Sequence, residues 1–182
     1  ASSVHAPGRR ARRLVEEAHY RAQRGNYFYE EVTALRSLAY SGQEQDDLDL
    51  QLDVAQRARA AAIRYELSFL EVEATAVYAD ALMRRGRWDA AEDLVSDNIG
   101  SHANADVHMT RVLGLVRLRR GRTGGRENLH RAWALAVESR EIDYLLHVAT
   151  ALAEASWLQG GIDKEQADEF RELVDRGVRH EF

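Results

Sequence analysis

A chain of 182 residues with a single proline, Pro7, contains almost nothing that forbids helix. What punctuates it is glycine. Gly42, Gly86, Gly121 and Gly160 each follow a helical pattern and precede another, at intervals of 44, 35 and 39 residues. Glycine in that place takes the left-handed conformation that closes a helix. A small residue stands seven positions before three of them: Ala79, Gly114 and Ala153. Seven residues is about two helical turns, so the small residue shares a face with the glycine and lets a neighbouring helix approach closely. Gly42 departs from this rule, with Ala39 only three positions ahead of it.

Between the glycines the apolar residues keep the helical period. Leu48, Leu52, Ala55 and Ala62 form one stripe; Leu67, Leu70, Ala74, Val77 and Ala81 form another. No segment alternates as a strand would. The pattern predicts helices over 9–24, 27–41, 45–64, 67–85, 88–98, 104–120, 125–138, 143–159 and 163–178. Asp89 with Glu92, and Asp163 with Gln166, have capping-box spacing, and Asn26 is placed to cap the helix that follows it. Short turns make successive helices antiparallel, and each hairpin leaves an apolar flank that only the next can cover. The expected fold is therefore all-α: about nine helices in stacked hairpins forming a right-handed superhelical arc. A flexible segment over 1–8 would precede one repeat domain over 9–182.

Composition narrows the function classes. Hydrophobic residues are 45% and charged residues 30%, as expected of a globular chain rather than a disordered one. No apolar run approaches the length of about 20 residues that crosses a bilayer, and no charged-then-apolar leader is visible, which suggests the cytoplasm. Cysteine is absent, removing disulfides, thiol catalysis and cysteine-ligated zinc. A net charge of −5 argues against a general nucleic-acid surface. The chain opens on alanine, as a piece cut from a longer protein would.

The segment Gly86 to Ala91, with Trp88 and Asp89 inside it, resembles the inter-helix turn of a tetratricopeptide-like (TPR-like) repeat. Residues 112–161, "VLGLVRLRRGRTGGRENLHRAWALAVESREIDYLLHVATALAEASWLQGG", resemble the helical-repeat region of large ATP-dependent bacterial transcriptional regulators of the LuxR type. The likeness covers about residues 70–161; residues 8–69 resemble it only as generic helix pairs. Arg126 and Glu165 stand where the first of these turns has Ala91. Such regulators also carry a nucleotide-binding domain and a helix-turn-helix DNA-binding domain, neither of which is visible in this chain. The resemblance implies that the first helix of each pair lines the concave face. In the glycine register that face would carry Glu73, Asp80 and Arg84, then His108, Arg111 and Arg119, then His147, Thr150, Glu154 and Trp157. Both charge signs with an aromatic anchor suit a protein or peptide segment, or another domain of the same parent. The competing reading is that these residues face solvent or tie adjacent repeats.

Other constellations are weaker. Glu16/His19 and Glu127/His130 have the Glu-x-x-His spacing of di-iron bundles, for which Glu73 and Glu154 could complete a ligand set. Short helices and glycine turns suit an open arc better than a closed bundle. "GRTGGREN" (121–128) lacks the ending of a phosphate-binding loop and reads as a permissive turn. The basic turns over 83–87 and 117–122 complement helix C-termini, and the acidic run over 44–53 complements a helix N-terminus. "GRRARR" (8–13) could touch an acidic partner. Trp88 and Trp133 are expected as wedges between helices. No cofactor, metal or catalytic constellation is indicated. The sequence therefore supports a non-catalytic, protein-binding or effector-sensing repeat module, with no direct nucleic-acid or membrane partner and with room for homodimerisation. The alternatives are a stand-alone adaptor of the same fold and, remotely, a di-iron carboxylate protein.

Overall fold

The computed structural model describes residues 6–44, 46–158, 160–161, 168 and 171–172. Among the described residues there are eight α-helices and no strand: α1 (Ala6–Gly25), α2 (Phe28–Glu44), α3 (Leu48–Arg64), α4 (Ser68–Arg84), α5 (Trp88–Ser96), α6 (Ala103–Arg119), α7 (Gly125–Ser139) and α8 (Ile142–Leu158). They match the sequence expectation to within about three residues at each end. The ninth helix expected over 163–178, with its Asp163–Gln166 cap, lies almost wholly outside the described residues; Asp168, Arg171 and Glu172 within it are helical.

The chain forms two compact units, Ala1–Ala90 and Ala91–Phe182. In the first, α1 packs on α2, α2 on α3 and α3 on α4, and α2 also meets α4. The core between them is built from small and branched side chains. Val32, Leu35, Leu38 and Ala39 of α2 meet Val54, Ala55, Ala58, Ala61 and Ala62 of α3 and Leu70, Ala74, Val77 and Ala81 of α4. Alanine at so many of these positions keeps the helix axes close, and burial of the larger aliphatics supplies about 1.5–3 kcal/mol for each. In the second unit α6 packs on α7, α7 on α8, and α6 also meets α8. Hairpins whose alternate helices touch are what consecutive stacking produces.

Six helices end in the same way. The amide of the residue in the left-handed region donates three residues back, and the next amide donates five residues back. In α3, Glu66 donates to Ile63 (3.1 Å) and Leu67 to Ala62 (3.0 Å); in α4, Gly86 donates to Met83 (3.0 Å) and Arg87 to Leu82 (2.9 Å). Asn26, Asp46, Gly121 and Gly160 close α1, α2, α6 and α8 with the same pair of bonds. The left-handed residues of the first unit are Asn26, Asp46, Glu66 and Gly86, each twenty positions after the last. In the second unit Gly121, Arg140 and Gly160 follow one another at nineteen and twenty. The repeat is thus a helix-and-turn of about twenty residues, and a hairpin of about forty.

Three sequence expectations are corrected. Gly42 does not close α2, which continues to Glu44; Asp46 takes the left-handed conformation. Gly42 instead sits where a side chain would strike the Gln51 backbone nitrogen at 2.9 Å, so it marks the closest approach of α2 to α3. Asn26 does not cap α2 but closes α1, with φ 56°. Asp89 lies inside the first turn of α5, which begins at Trp88, and Glu92 reaches arginines rather than back to the helix start. The small-residue rule holds at Gly114: a Cβ there would lie 2.6 Å from Leu129 Cδ2 and 2.9 Å from the Gly125 carbonyl.

Candidate interaction surfaces

In the first unit α4 carries Glu73, Asp80 and Arg84 along one face, about two turns and then one turn apart. All three are bound to neighbouring helices. Arg36 Nη2 of α2 donates to Glu73 Oε2 at 2.7 Å. Asp80 is only 5% exposed and accepts from Gln51 Nε2 of α3 at 3.2 Å. Arg84 donates to Gln51 Oε1 at 2.8 Å and to Asp46 Oδ1 at 3.0 Å. The fully buried Gln51 amide is therefore bonded at both ends, oxygen to a cation and nitrogen to an anion. Such a group strengthens a core, because each polar atom removed from water has a partner. Tyr40 of α2 adjoins this chain. Burial raises the pKa of its hydroxyl; the Arg36 guanidinium opposes the rise, and the carboxylates of Glu73 and Asp80 add to it. Arg36, Tyr40 and Gln51 were not singled out in the sequence.

In the second unit the ring of His108 meets Tyr144 edge-on at 4.9 Å and lies 6.0 Å from His147. Arg119 of α6 grips Glu154 of α8 with two bonds, Nε at 2.6 Å and Nη2 at 2.8 Å, the fork geometry that favours arginine over lysine. Arg111 is buried. Thr150 is exposed and bonds back to the Leu146 carbonyl at 2.8 Å. Trp157, near the end of α8, leaves 71% of its surface in solvent. Trp88 behaves as the expected wedge, half-buried with its indole N–H donating to the Met83 carbonyl at 3.2 Å. Trp133 is also half-buried.

Seven of the long-range side-chain bonds have similar sequence separations, while Gln51–Asp80, Arg117–Glu92 and Arg122–Glu92 are shorter, at 25 to 30 residues. Arg36–Glu73, Arg84–Gln51, Arg84–Asp46, Arg57–His19, Tyr65–Glu31, Arg12–Asp47 and Arg119–Glu154 all span 33 to 38 residues. Arg57–His19 and Arg12–Asp47 tie α3 and its N-cap to α1, Arg36–Glu73 ties α4 to α2 and Arg119–Glu154 ties α8 to α6, each joining a helix to its equivalent in the next pair, whereas Arg84–Gln51 and Tyr65–Glu31 join neighbouring helices. Of the charged residues nominated for a partner, Glu73, Arg119 and Glu154 serve as ties between alternate helices, and Asp80 and Arg84 bond Gln51 of the neighbouring α3. The basic turns and acidic run are paired between neighbouring helices: Arg85 pairs with Asp49 at 2.6 Å, and Arg117, Arg120 and Arg122 converge on Glu92. Asp47 caps α3 by accepting from the Leu50 amide at 3.0 Å.

The Glu-x-x-His pairs are occupied by arginines. Glu16 accepts from Arg12 at 2.9 Å, His19 lies 3.1 Å from Arg57 Nη2, and His130 lies 3.4 Å from Arg126 Nε. Among the described residues no three or more His, Asp or Glu gather as a metal site. Within "GRTGGREN", Gly121 closes α6 and Gly125 packs on it. None of the helices, among the described residues, is long and apolar enough to cross a membrane.

The two ends of the first unit differ. At the α2–α3 and α4–α5 turns, Asp46, Asp47 and Asp49 each face an arginine: Arg84, Arg12 and Arg85. At the α1–α2 and α3–α4 turns, aromatic rings gather instead. Phe28 stacks on Tyr65 at 4.2 Å, and the Tyr65 hydroxyl donates to Glu31 at 2.9 Å. Partial desolvation and then that bond raise the Tyr65 pKa. Tyr27 and Tyr29 on the same turn are 61% and 54% exposed.

Comparison of the chain with protein-family models, curated proteins and solved structures found no match.

Proposed function

We propose that the chain is a non-catalytic helical-repeat module that binds a protein or peptide segment, or another domain of its own parent, along the face formed by the first helices of its hairpins. The observation that carries this reading is the set of ties between alternate helices over 35 to 38 residues: Arg57–His19 joins α3 to α1, Arg36–Glu73 joins α4 to α2, and Arg119–Glu154 joins α8 to α6. A register repeated hairpin after hairpin supports a TPR-like right-handed superhelix, and an open stack of that kind offers an extended surface rather than an enclosed pocket. On this reading the tied residues Glu73, Asp80, Arg84, His108, Arg111, Arg119, His147 and Glu154 hold the face in shape. Thr150 and Trp157 are the members with most surface left for a partner.

The sequence resemblance supports a parent that is an ATP-dependent LuxR-type transcriptional regulator, which we place in the cytoplasm. Binding would bias that parent between states to the extent that the partner prefers one of them. Two measurements test the proposal. The reading frame around this segment should encode a phosphate-binding loop on one side and a helix-turn-helix on the other; lacking both, the module is a stand-alone adaptor. Calorimetric titration of the chain with the remainder of its parent should show one-to-one binding that Thr150→Arg with Trp157→Ala weakens at least tenfold. Binding that is unchanged by the pair places the contact elsewhere and overturns the assignment of this face.

A further inference from the structure

The aromatic end of the first unit is a second surface, separate from the face just proposed, and its chemistry identifies what it takes. The α1–α2 and α3–α4 turns are brought together by the Phe28–Tyr65 stack. Two of the rings in this region already carry a cation from the chain itself: the Arg24 guanidinium lies 5.6 Å from the centre of Tyr20, and that of Arg64 lies 4.6 Å from the centre of Tyr65. Both arrangements fall within the range in which a guanidinium is attracted to a ring face. Tyr27 and Tyr29 are at least as exposed as Tyr20 and carry no cation among the described residues. Glu30, beside Tyr29, and Glu66, beside Tyr65, are exposed carboxylates. Among the described residues no arginine pairs with either, whereas every acidic residue named at the opposite end has one. The end therefore shows unfilled rings and uncompensated negative charge together, next to filled examples of the same pairing.

We infer that this end, centred on Tyr27, Tyr29, Glu30 and Glu66, binds an arginine-bearing segment of a partner protein, its guanidinium groups stacking on the two tyrosines and pairing with the two carboxylates. Arginine fits better than lysine because its planar group stacks and forks at once. Arg24 and Arg64, which precede the two turns in sequence, are already engaged with Tyr20 and Tyr65. The surface shares no residue with the face proposed above, so the test of one does not decide the other.

The test uses the whole chain and fluorescein-labelled octa-arginine, with octa-lysine as the charge-matched comparison. Octa-arginine should bind at least about fivefold more tightly than octa-lysine. Tyr27→Ala with Tyr29→Ala should lower its affinity about tenfold and remove most of the preference. Glu30→Gln with Glu66→Gln should lower it by a similar factor and flatten its salt dependence. Asp93→Asn with Asp97→Asn, which removes the same charge from α5 and the residue that follows it, should change it less than twofold. Equal binding of the two peptides, or equal loss from the Asp93/Asp97 variant, would mean simple attraction to net negative charge and overturn the proposal. Amide and ring chemical shifts of the unaltered chain decide the matter even where a variant unfolds. Octa-arginine should move the resonances of Tyr27, Tyr29, Glu30 and Glu66, and shifts confined to other residues refute the assignment.

Discussion

The two units reach the same helical step by different means. In the first, α2, α3 and α4 are each 17 residues long and are closed by Asp46, Glu66 and Gly86. Three of its four left-handed positions carry a side chain, which costs about 1 kcal/mol for a residue such as Glu66 and less for Asn26 or Asp46. Buried polar ties such as Gln51 with Asp80 and Arg84 hold those turns in register. In the second unit, two of the three turns that keep the step, at Gly121 and Gly160, use glycine. Closeness rather than polar bonding joins its first hairpin: added Cβ atoms at Gly114 and Gly125 would each strike the other's carbonyl, at 2.9 and 3.0 Å. The contrast is one of degree: α2 and α3 also approach closely at Gly42, and Arg140 is a left-handed turn with a side chain, but the α6–α7 contact rests on two facing glycines where the first unit adds a buried polar group.

The largest effect should therefore come from Gly114→Ala. Leu129 can rotate away from the new methyl group, but the Gly125 carbonyl is backbone and cannot yield without moving α7. Overpacking of this kind costs about 1–3 kcal/mol, more than the gain of about 0.5–1 kcal/mol from replacing a mid-helix glycine. A net loss of about 2 kcal/mol is expected in urea denaturation. Gly86→Ala should cost about 1 kcal/mol, since φ is 80° but nothing lies within 4 Å of the added carbon. If Gly86→Ala proves the more damaging of the two, close packing is not what distinguishes the second unit.

A smaller effect of opposite sign should follow at the equivalent turn one hairpin-half earlier. Glu66 adopts φ 55° with its side chain in solvent, so Glu66→Gly relieves strain while raising the entropy of the unfolded chain. The net gain should be about 0.5 kcal/mol, read as a rise in thermal midpoint. A fall would show that the first unit's turns are not strained and would remove half of the contrast.

How much of this was legible beforehand follows from the same turns. Gly86, Gly121 and Gly160 announced themselves because glycine is the usual residue at a left-handed helix end. The closures at Asn26, Asp46 and Glu66 were missed because any one of them, taken alone, looks like an ordinary polar residue. Counting back from Gly86 in steps of twenty reaches 66, 46 and 26 in turn, so the signal was present in the period and absent from composition. Gly42 misled for the converse reason: a helix-interior glycine needed for close approach looks the same in sequence as one needed for a turn. Spacing alone puts Glu73, Asp80 and Arg84 along one side of α4. It could not show that Arg36 and Gln51 would meet them, because pairing across hairpins depends on axial offset between helices, which no local pattern encodes.

The smallest predicted effect probes the polar ties of the first unit through His19. Its imidazole adjoins Arg57, and partial burial first, then that cation, lower its pKa below 6.5; the Glu31 carboxylate opposes the shift. The unfolded chain, with the ordinary value, takes up a proton first as the pH falls. Protonation therefore favours unfolding, and the tie's contribution is present at neutral pH and lost as the pH falls through about 6.5. Most of the ring's surroundings remain wet, so the change should be slight. Urea midpoints measured between about pH 7.5 and 5.5, above the range where carboxylates dominate, should drift downward in the native chain. The drift should be shallower in His19→Gln, whose amide cannot titrate. A midpoint that rises toward pH 5.5, or a slope identical in the two proteins, would mean that the Arg57–His19 tie is not felt in solution. The first unit's dependence on polar cross-links would then rest on Gln51 and its two partners.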